Sequence, residues 1–295
     1  MSAVFDLLQQ STAFFLTLVF IVSLMVGSFL NVVIYRLPVM MERRWKAEFN
    51  DYFQADPDTK TDTDSPAQFN LVKPDSTCPK CGHAIRAWEN IPVLSWLFLR
   101  GKCSSCKTPI SIRYPSVELA TALLSLWIAS VFGFSAAGLL AIVVTWLLIA
   151  LTFIDADTML LPDEITLPML WLGLIAGVFG VFVPAEQAII GAAAGYLSLW
   201  SVYWLFKIVT GKEGMGYGDF KLLAALGAFT GWQGLPVIII LSSFVGAIVG
   251  IAMIVLGRNE SGQAIPFGPY LAVAGWLTLM YGDRIQQTYL NWALG

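Results

Sequence analysis

The residues with types and spacing fit for chemistry fall into two acidic clusters and two cysteine pairs. The first acidic cluster is Asp155-Ala156-Asp157, followed by Leu161-Pro162-Asp163. The second is Gly216-Tyr217-Gly218-Asp219, inside the run Gly214-Met215-Gly216-Tyr217-Gly218-Asp219-Phe220-Lys221. Each sits where an apolar run meets a polar loop. A carboxylate at the edge of a bilayer is costly and is a functional candidate by default. One aspartate alone does little. Two brought face to face prefer to share a proton, so one can act as base on a water while the other polarises a carbonyl. On the residues alone, Asp155 and Asp219 are a candidate hydrolytic pair. The rival reading makes them ion ligands of a polytopic ion-coupled transporter. The plainer alternatives are loop anchors, helix N-caps or partners of Lys212 and Lys221. Asp163, just before Ile165, has the look of an N-cap, and Asp157 is open either way.

The cysteines are Cys78-Pro79-Lys80-Cys81 and Cys103-Ser104-Ser105-Cys106, with 21 residues between the pairs. Two CxxC pairs at that distance suit tetrahedral thiolate binding of zinc and approach zinc-ribbon spacing. Lys80, Lys102 and Lys107 favour thiolates nearby. Four thiolates leave no open coordination position, so such a zinc is structural. Two disulfides or free thiols are the alternatives, and a reducing cytosol favours metal. His83, the only histidine, reads as a solvated loop residue rather than a ligand, and its isolation argues against histidine-dependent catalysis.

The elements that must position these groups are apolar. The chain of 295 residues is 57% hydrophobic with a mean hydropathy of +0.71, too apolar for an ordinary soluble domain. The formal charge of −3 gives no reason to expect nucleic acid, and lipid is the expected surround. The start lacks the basic region of a cleavable signal peptide, so the first apolar run reads as a permanent span over residues 12–35, with Arg36 as an interfacial anchor and Pro38 as a helix stop. Asn31 near its end either bonds across helices or meets water. Further spans are expected at 114–132, 136–154, 165–183, 188–207, 220–231, 235–256 and 266–281, about eight in all. The segment starting at Phe220 is short and glycine-broken, fit to be tilted or bent. Glu118 lies inside the second span, most simply as a helix–helix hydrogen bond.

Between Pro38 and Arg113 the chain is polar, and with its edges this stretch holds 12 of the 17 Lys and Arg residues. Residues 56–75 read as a mobile insert. Arg36, Arg43, Arg44, Lys46 and Arg113 flank it and mark it as cytoplasmic. Counting crossings from there brings Asp155 and Asp219 to the same, cytoplasmic face, and the loop 257–265 with Arg258 returns to it. The expected organisation is a first transmembrane helix (1–37), a cytoplasmic domain with the CxxC pairs (38–113) and a polytopic membrane domain (114–295). The fold class is an all-α polytopic membrane protein with a small cytoplasmic four-cysteine, zinc-ribbon-like domain.

Taken in order, these blocks resemble one family: bacterial type IV prepilin peptidases, bifunctional leader peptidases and N-methyltransferases. The likeness rests on 27–38, the paired CxxC knuckles, Glu89-Asn90-Ile91-Pro92 with Trp96, Arg100-Gly101-Lys102-Cys103, Arg113-Tyr114-Pro115 with Glu118, Ile154-Asp155-Ala156-Asp157, Leu161-Pro162-Asp163 and Gly216-Tyr217-Gly218-Asp219-Phe220-Lys221. The Gly-x-Gly-Asp signature is short, and its company makes it specific. The resemblance implies a GxGD aspartic endopeptidase of the bacterial inner membrane, with Asp155 and Asp219 catalytic and facing the cytoplasm. It implies prepilin and pseudopilin substrates cut between a glycine and usually a phenylalanine. It also implies S-adenosylmethionine as methyl donor to the new N-terminal amine. Gly101, just before the second knuckle, is the implied cofactor residue, and Cys78, Cys81, Cys103 and Cys106 the metal ligands. No glycine-rich nucleotide loop follows a strand, so residue patterns alone do not locate the methyl donor.

Overall fold

The computed structural model describes residues 2–53, 69–256 and 265–294. Most of the insert expected at 56–75, and residues 257–264 of the loop bearing Arg258, lie outside them. The described chain is mostly helical and forms no named strand. It divides into two compact units, Met1–Ser130 and Val131–Gly295.

In the first unit, α1 (Ser2–Gln10) leads into α2 (Thr12–Phe53), a 42-residue helix. The helix stop expected at Pro38 is not there: α2 runs through it. A proline interior to a helix loses one backbone bond and crowds the preceding turn. Here Arg36, Leu37, Pro38 and Met41 are all buried, so packing holds the helix together across the defect. Arg36 is buried. Its guanidinium donates to the carbonyls of Asn70 (3.0 Å) and Pro74 (2.7 Å), tying the returning chain to the helix. Phe69 fills the corner, 4.1 Å from the Arg43 guanidinium. Asn31 takes the cross-helix option, donating to the carbonyl of Tyr114 at 3.1 Å. The chain then passes a 3₁₀ turn, Ala87–Asn90, and the short helix α3 (Leu94–Phe98), and enters α4 (Arg113–Phe132). Gly27 lets α2 and α4 touch: a methyl there would stand 2.7 Å from the Cα of Glu118.

The second unit is a helical bundle. Its α5 (Ala136–Thr158) starts at Ser135, whose Oγ accepts the Gly138 N–H at 3.0 Å, and ends at Met159 in the left-handed region. After Leu160-Leu161-Pro162 comes α6 (Asp163–Val178), then α7 (Ala185–Thr210), which closes on Gly211 at φ 70°. Next come α8 (Tyr217–Val255) and α9 (Gly268–Leu294). Gly231, at φ 69° and ψ 175°, breaks α8 into two helical stretches, as the glycine-broken sequence after Phe220 foretold. α8 lies centrally, against α6, α7 and α9, and α5 packs on α9.

The closest approach is α7 on α8. Gly191 and Gly195 are four residues apart on α7, the small-xxx-small pattern that lets helix backbones touch. A methyl on Gly195 would lie 2.6 Å from the Leu223 carbonyl oxygen, and one on Gly191 would overlap the Gly227 carbonyl. Among the described residues five helices are long and apolar enough to cross a membrane: α2, α4, α5, α7 and α8.

Candidate functional site

Asp155 stands one turn from the end of α5, and the turn that ends the helix is built on it: the Met159 N–H donates to the Asp155 carbonyl at 2.9 Å. Its side chain is 5% exposed. The backbone N–H of Gly268, at the start of α9, donates to Oδ2 at 2.8 Å. Free N–H groups at a helix start make a natural seat for a carboxylate. Asp157, two residues on, is exposed. Burial thus separates the two members of the Asp-x-Asp block.

Asp219 occupies the first turn of α8 and is 7% exposed. Its Oδ1 is buried and has no hydrogen-bond partner among the described residues. Asp155 and Asp219 are brought together through Leu161, in the turn after Asp155. A methyl on Gly218 would stand 2.6 Å from Leu161 Cβ; one on Gly268 would stand 3.1 Å from Leu161 Cδ2 and 2.6 Å from Asp155 Oδ2. The glycines of the Gly-x-Gly-Asp block are therefore not there for unusual torsions, since neither Gly216 nor Gly218 has positive φ. Gly218 is needed for closeness to Leu161. Gly216 is nearly open, with a methyl meeting nothing nearer than Asp219 Oδ2 at 3.8 Å.

Around this pair the loop entering α8 is fastened on both sides. Lys207, on the last turn of α7, bonds Glu213 (2.8 Å) and the Tyr203 hydroxyl (3.2 Å). Tyr217 packs on Tyr203 with ring centroids 5.3 Å apart, and Phe220 on Tyr203 at 5.6 Å. Asp163 is not an N-cap. Pro162 holds that position, Asp163 is the first helical residue of α6, and its carboxylate meets Lys221. An acidic first turn complements the helix dipole without capping it. Gly268 belongs to no motif that the sequence singled out. The signal was present in Gly268-Pro269, since proline just inside a helix start marks where N–H groups are free.

In the first unit the two cysteine pairs form matching knuckles. The Cys78 N–H donates to the His83 carbonyl and the Gly82 N–H to the Cys78 carbonyl, both at 2.9 Å. The second knuckle repeats this with Cys103, Thr108 and Lys107. Gly82 and Lys107 hold equivalent positions, at φ 70° and 60°. All four sulfurs lie within 4.8 Å of one another, and those of Cys78 and Cys106 are 3.7 Å apart. Metal–sulfur bonds of about 2.3 Å give tetrahedral edges of about 3.8 Å, so the donor set fits a four-thiolate metal ion. The Thr108 hydroxyl and N–H push the Cys106 thiol down to about 6 and the Cys81 and Lys80 N–H groups lower Cys78, whereas the neighbouring Cys106 sulfur pushes Cys81 up to about 11, so crowded sulfurs without a cation favour thiolate at only part of the set. His83 is no solvated loop residue. Its Nε2 lies 3.2 Å from Glu89 Oε2 and 3.2 Å from Ser104 Oγ, linking one knuckle to the other. Ser104, the Arg86 N–H and His83 together hold the Glu89 carboxyl at about 2.

Gly101 is buried at φ 65°. Its N–H donates to the Trp96 carbonyl (2.8 Å), its carbonyl accepts from Ile110 (2.7 Å), and a methyl on it would stand 2.8 Å from the Trp96 ring. Both backbone groups bond within the loop, so Gly101 shapes it. Glu118 is buried on α4, and its Oε2 accepts the Val93 N–H at 2.7 Å. It holds the short loop before α3 rather than only a facing helix.

Helices of spanning length, two buried aspartates at helix ends and a four-cysteine cluster define the class of protein. Comparison with known sequences places it. Residues 21–132 match the bacterial peptidase A24 N-terminal domain and residues 142–251 the type IV leader peptidase family. The chain is 58% identical over 288 residues to a prepilin leader peptidase/N-methyltransferase of Pseudomonas aeruginosa, covering 98% of each. It is 57% identical over 277 residues to one of Aeromonas hydrophila, covering 94% of each, and 50% identical over 287 residues to one of Neisseria gonorrhoeae, covering 97% of each. No solved structure matches it. The chain belongs to the type IV leader peptidase family.

Proposed function

We propose that this chain is a membrane aspartic endopeptidase that removes the leader of prepilins and pseudopilins and then methylates the exposed amine. The observation that carries the peptidase is the pair of buried aspartates, Asp155 and Asp219, drawn from separate motifs to the two sides of Leu161. One carboxylate takes a proton from a water, and the other, protonated, donates to the scissile carbonyl oxygen. The water oxygen adds to the carbonyl carbon, the C–N bond breaks, and the departing amine receives a proton. The Gly268 N–H holds Asp155 at the correct angle, and the unpartnered Oδ1 of Asp219 is available to the reacting groups. Relatives above 50% identity whose names join both activities support the assignment.

In this reading the cysteines hold one structural zinc in a ribbon-like cytoplasmic domain within 38–113. S-adenosylmethionine, when bound, supplies the methyl group, and Gly101 serves that activity by fixing the loop against Trp96. The membrane part, 114–295, lies in the bacterial inner membrane. Counting α2, α4, α5, α6, α7, both stretches of α8 and α9 gives eight crossings, with the aspartates at the cytoplasmic rim.

Asp155→Asn and Asp219→Asn, assayed in membranes against a leader-bearing pilin, should each lose cleavage while keeping the metal. Full cleavage by either variant refutes the pair.

A further inference from the structure

We propose that α3 is an interfacial anchor, lying along the bilayer surface with Ile91, Leu94, Leu97 and Phe98 among phospholipid acyl chains. The inference rests on the membrane reading above but concerns a segment with no part in the carboxylate chemistry.

In a helix, Leu94, Leu97 and Phe98 fall at i, i+3 and i+4, on one face, and Ile91, also exposed, lies in the extended chain before it. That is the apolar stripe by which a helix buries itself, yet here it faces outward. Leu94 is 52% exposed, Leu97 57% and Phe98 82%. The residue that does turn inward is Trp96, which covers Gly101 and donates to the Ile110 carbonyl at 3.1 Å. The helix thus spends one large side chain on its own fold and presents the rest. Ile112, 70% exposed, and Trp88, 53% exposed, widen the apolar surface. A cluster of this kind needs a cover.

Its height identifies the cover. The Val93 N–H, at the start of α3, is held by Glu118, and Glu118 lies five residues into α4, a helix of spanning length. At 1.5 Å per residue that is about 7 Å along the helix from its start. Interfacial helices sink their apolar faces about 5–10 Å into the boundary of headgroups and chains. α3 is therefore pinned at the depth where lipid is the available neighbour. Val93 accepts φ 60°, unfavourable for a β-branched residue, to make this junction. Arg86, Arg100 and Lys102 are exposed around it, the charge that suits anionic headgroups.

The test uses the full-length protein in liposomes of phosphatidylethanolamine and phosphatidylglycerol, with a photoreactive benzoylphenylalanine at Leu97 or Phe98 in turn. Position 80, on an exposed knuckle residue, is the aqueous control, and position 123, half exposed in the middle of α4, the lipid control. Mass spectrometry should find phospholipid adducts at 97 and 98 at least several-fold above position 80. Adducts at 123 but none at 97 and 98 overturn the anchor alone. Adducts at 97 and 98 only to an added pilin helix also overturn it, making the stripe a substrate groove. Absence at 123 as well removes the membrane reading with it.

Discussion

The Nζ of Lys221 stands 2.7 Å from both carboxylate oxygens of Asp163. The pair joins the first turn of α6 to the first turn of α8, so it fastens the end of the Leu161 turn to the helix carrying Asp219. Both side chains are part-exposed, at 50% for Asp163 and 30% for Lys221, and exposed pairs contribute only about 0–1 kcal/mol to stability. Its value lies in placement. Lys221→Ala or Asp163→Asn should slow leader cleavage several-fold without abolishing it, and the exchange Asp163→Lys with Lys221→Asp should recover part of the loss. Steady-state cleavage rates of the four proteins decide it; equal loss in single and double variants would give the pair no joint role.

Gly268 should tolerate nothing larger. A methyl there would stand 2.6 Å from Asp155 Oδ2 and must push the carboxylate or α9 aside. A shift near 1 Å at a reacting group costs on the order of 100-fold in rate, so Gly268→Ala should lose about that much cleavage while still inserting into membranes.

The two glycines of the Gly-x-Gly-Asp block should behave unequally. Gly218→Ala meets Leu161 at 2.6 Å and should cost most of the activity, whereas Gly216→Ala meets nothing nearer than 3.8 Å and should keep a substantial fraction. Cleavage assays of both under one protocol test this, and the reverse order would contradict the geometry.

The cysteine cluster should carry one metal ion per chain, removed by Cys78→Ser or Cys103→Ser, the two buried ligands. Without it the knuckles lose their crosslink, and amide hydrogen exchange should rise over residues 76–110 while the helices of the second unit stay protected. Elemental analysis beside exchange mapping gives both readouts.

Gly101→Ala adds a methyl 2.8 Å from the Trp96 ring at a backbone angle that disfavours any side chain. Methyl transfer should fall steeply with leader cleavage retained, seen as processed pilin lacking the 14 Da increment expected for one methyl group. Trimming Trp96 to Leu removes the clash but not the torsional strain, so the double variant should recover little.

The sequence announced the helices, the burial-worthy aspartates and the knuckles because hydropathy, short spacing and cysteine pairs are local signals. It misread residues whose role is set by a distant partner. Pro38 looked like a stop because its cost is local, while the packing that overrides it is not. Nothing beside Arg36 in the sequence shows that the carbonyls of Asn70 and Pro74 return to it from across a polar stretch. Asp163 had the look of a cap until Lys221, 58 residues away, took its carboxylate. His83 beside a knuckle carries no mark of Ser104 and Glu89. Spacing told nothing of Gly268, whose part is played by a main-chain N–H.

That last contact has a consequence for how the protein can be divided. The family match ends at residue 251, while the group that grips Asp155 comes later, at the opening of α9. A chain cut after α8 would keep both aspartate motifs intact and still be crippled, for want of the amide that grips Asp155 and of the helix that packs on α5 and α8. Supplying α9 as a separate peptide offers a route to switch such a fragment on.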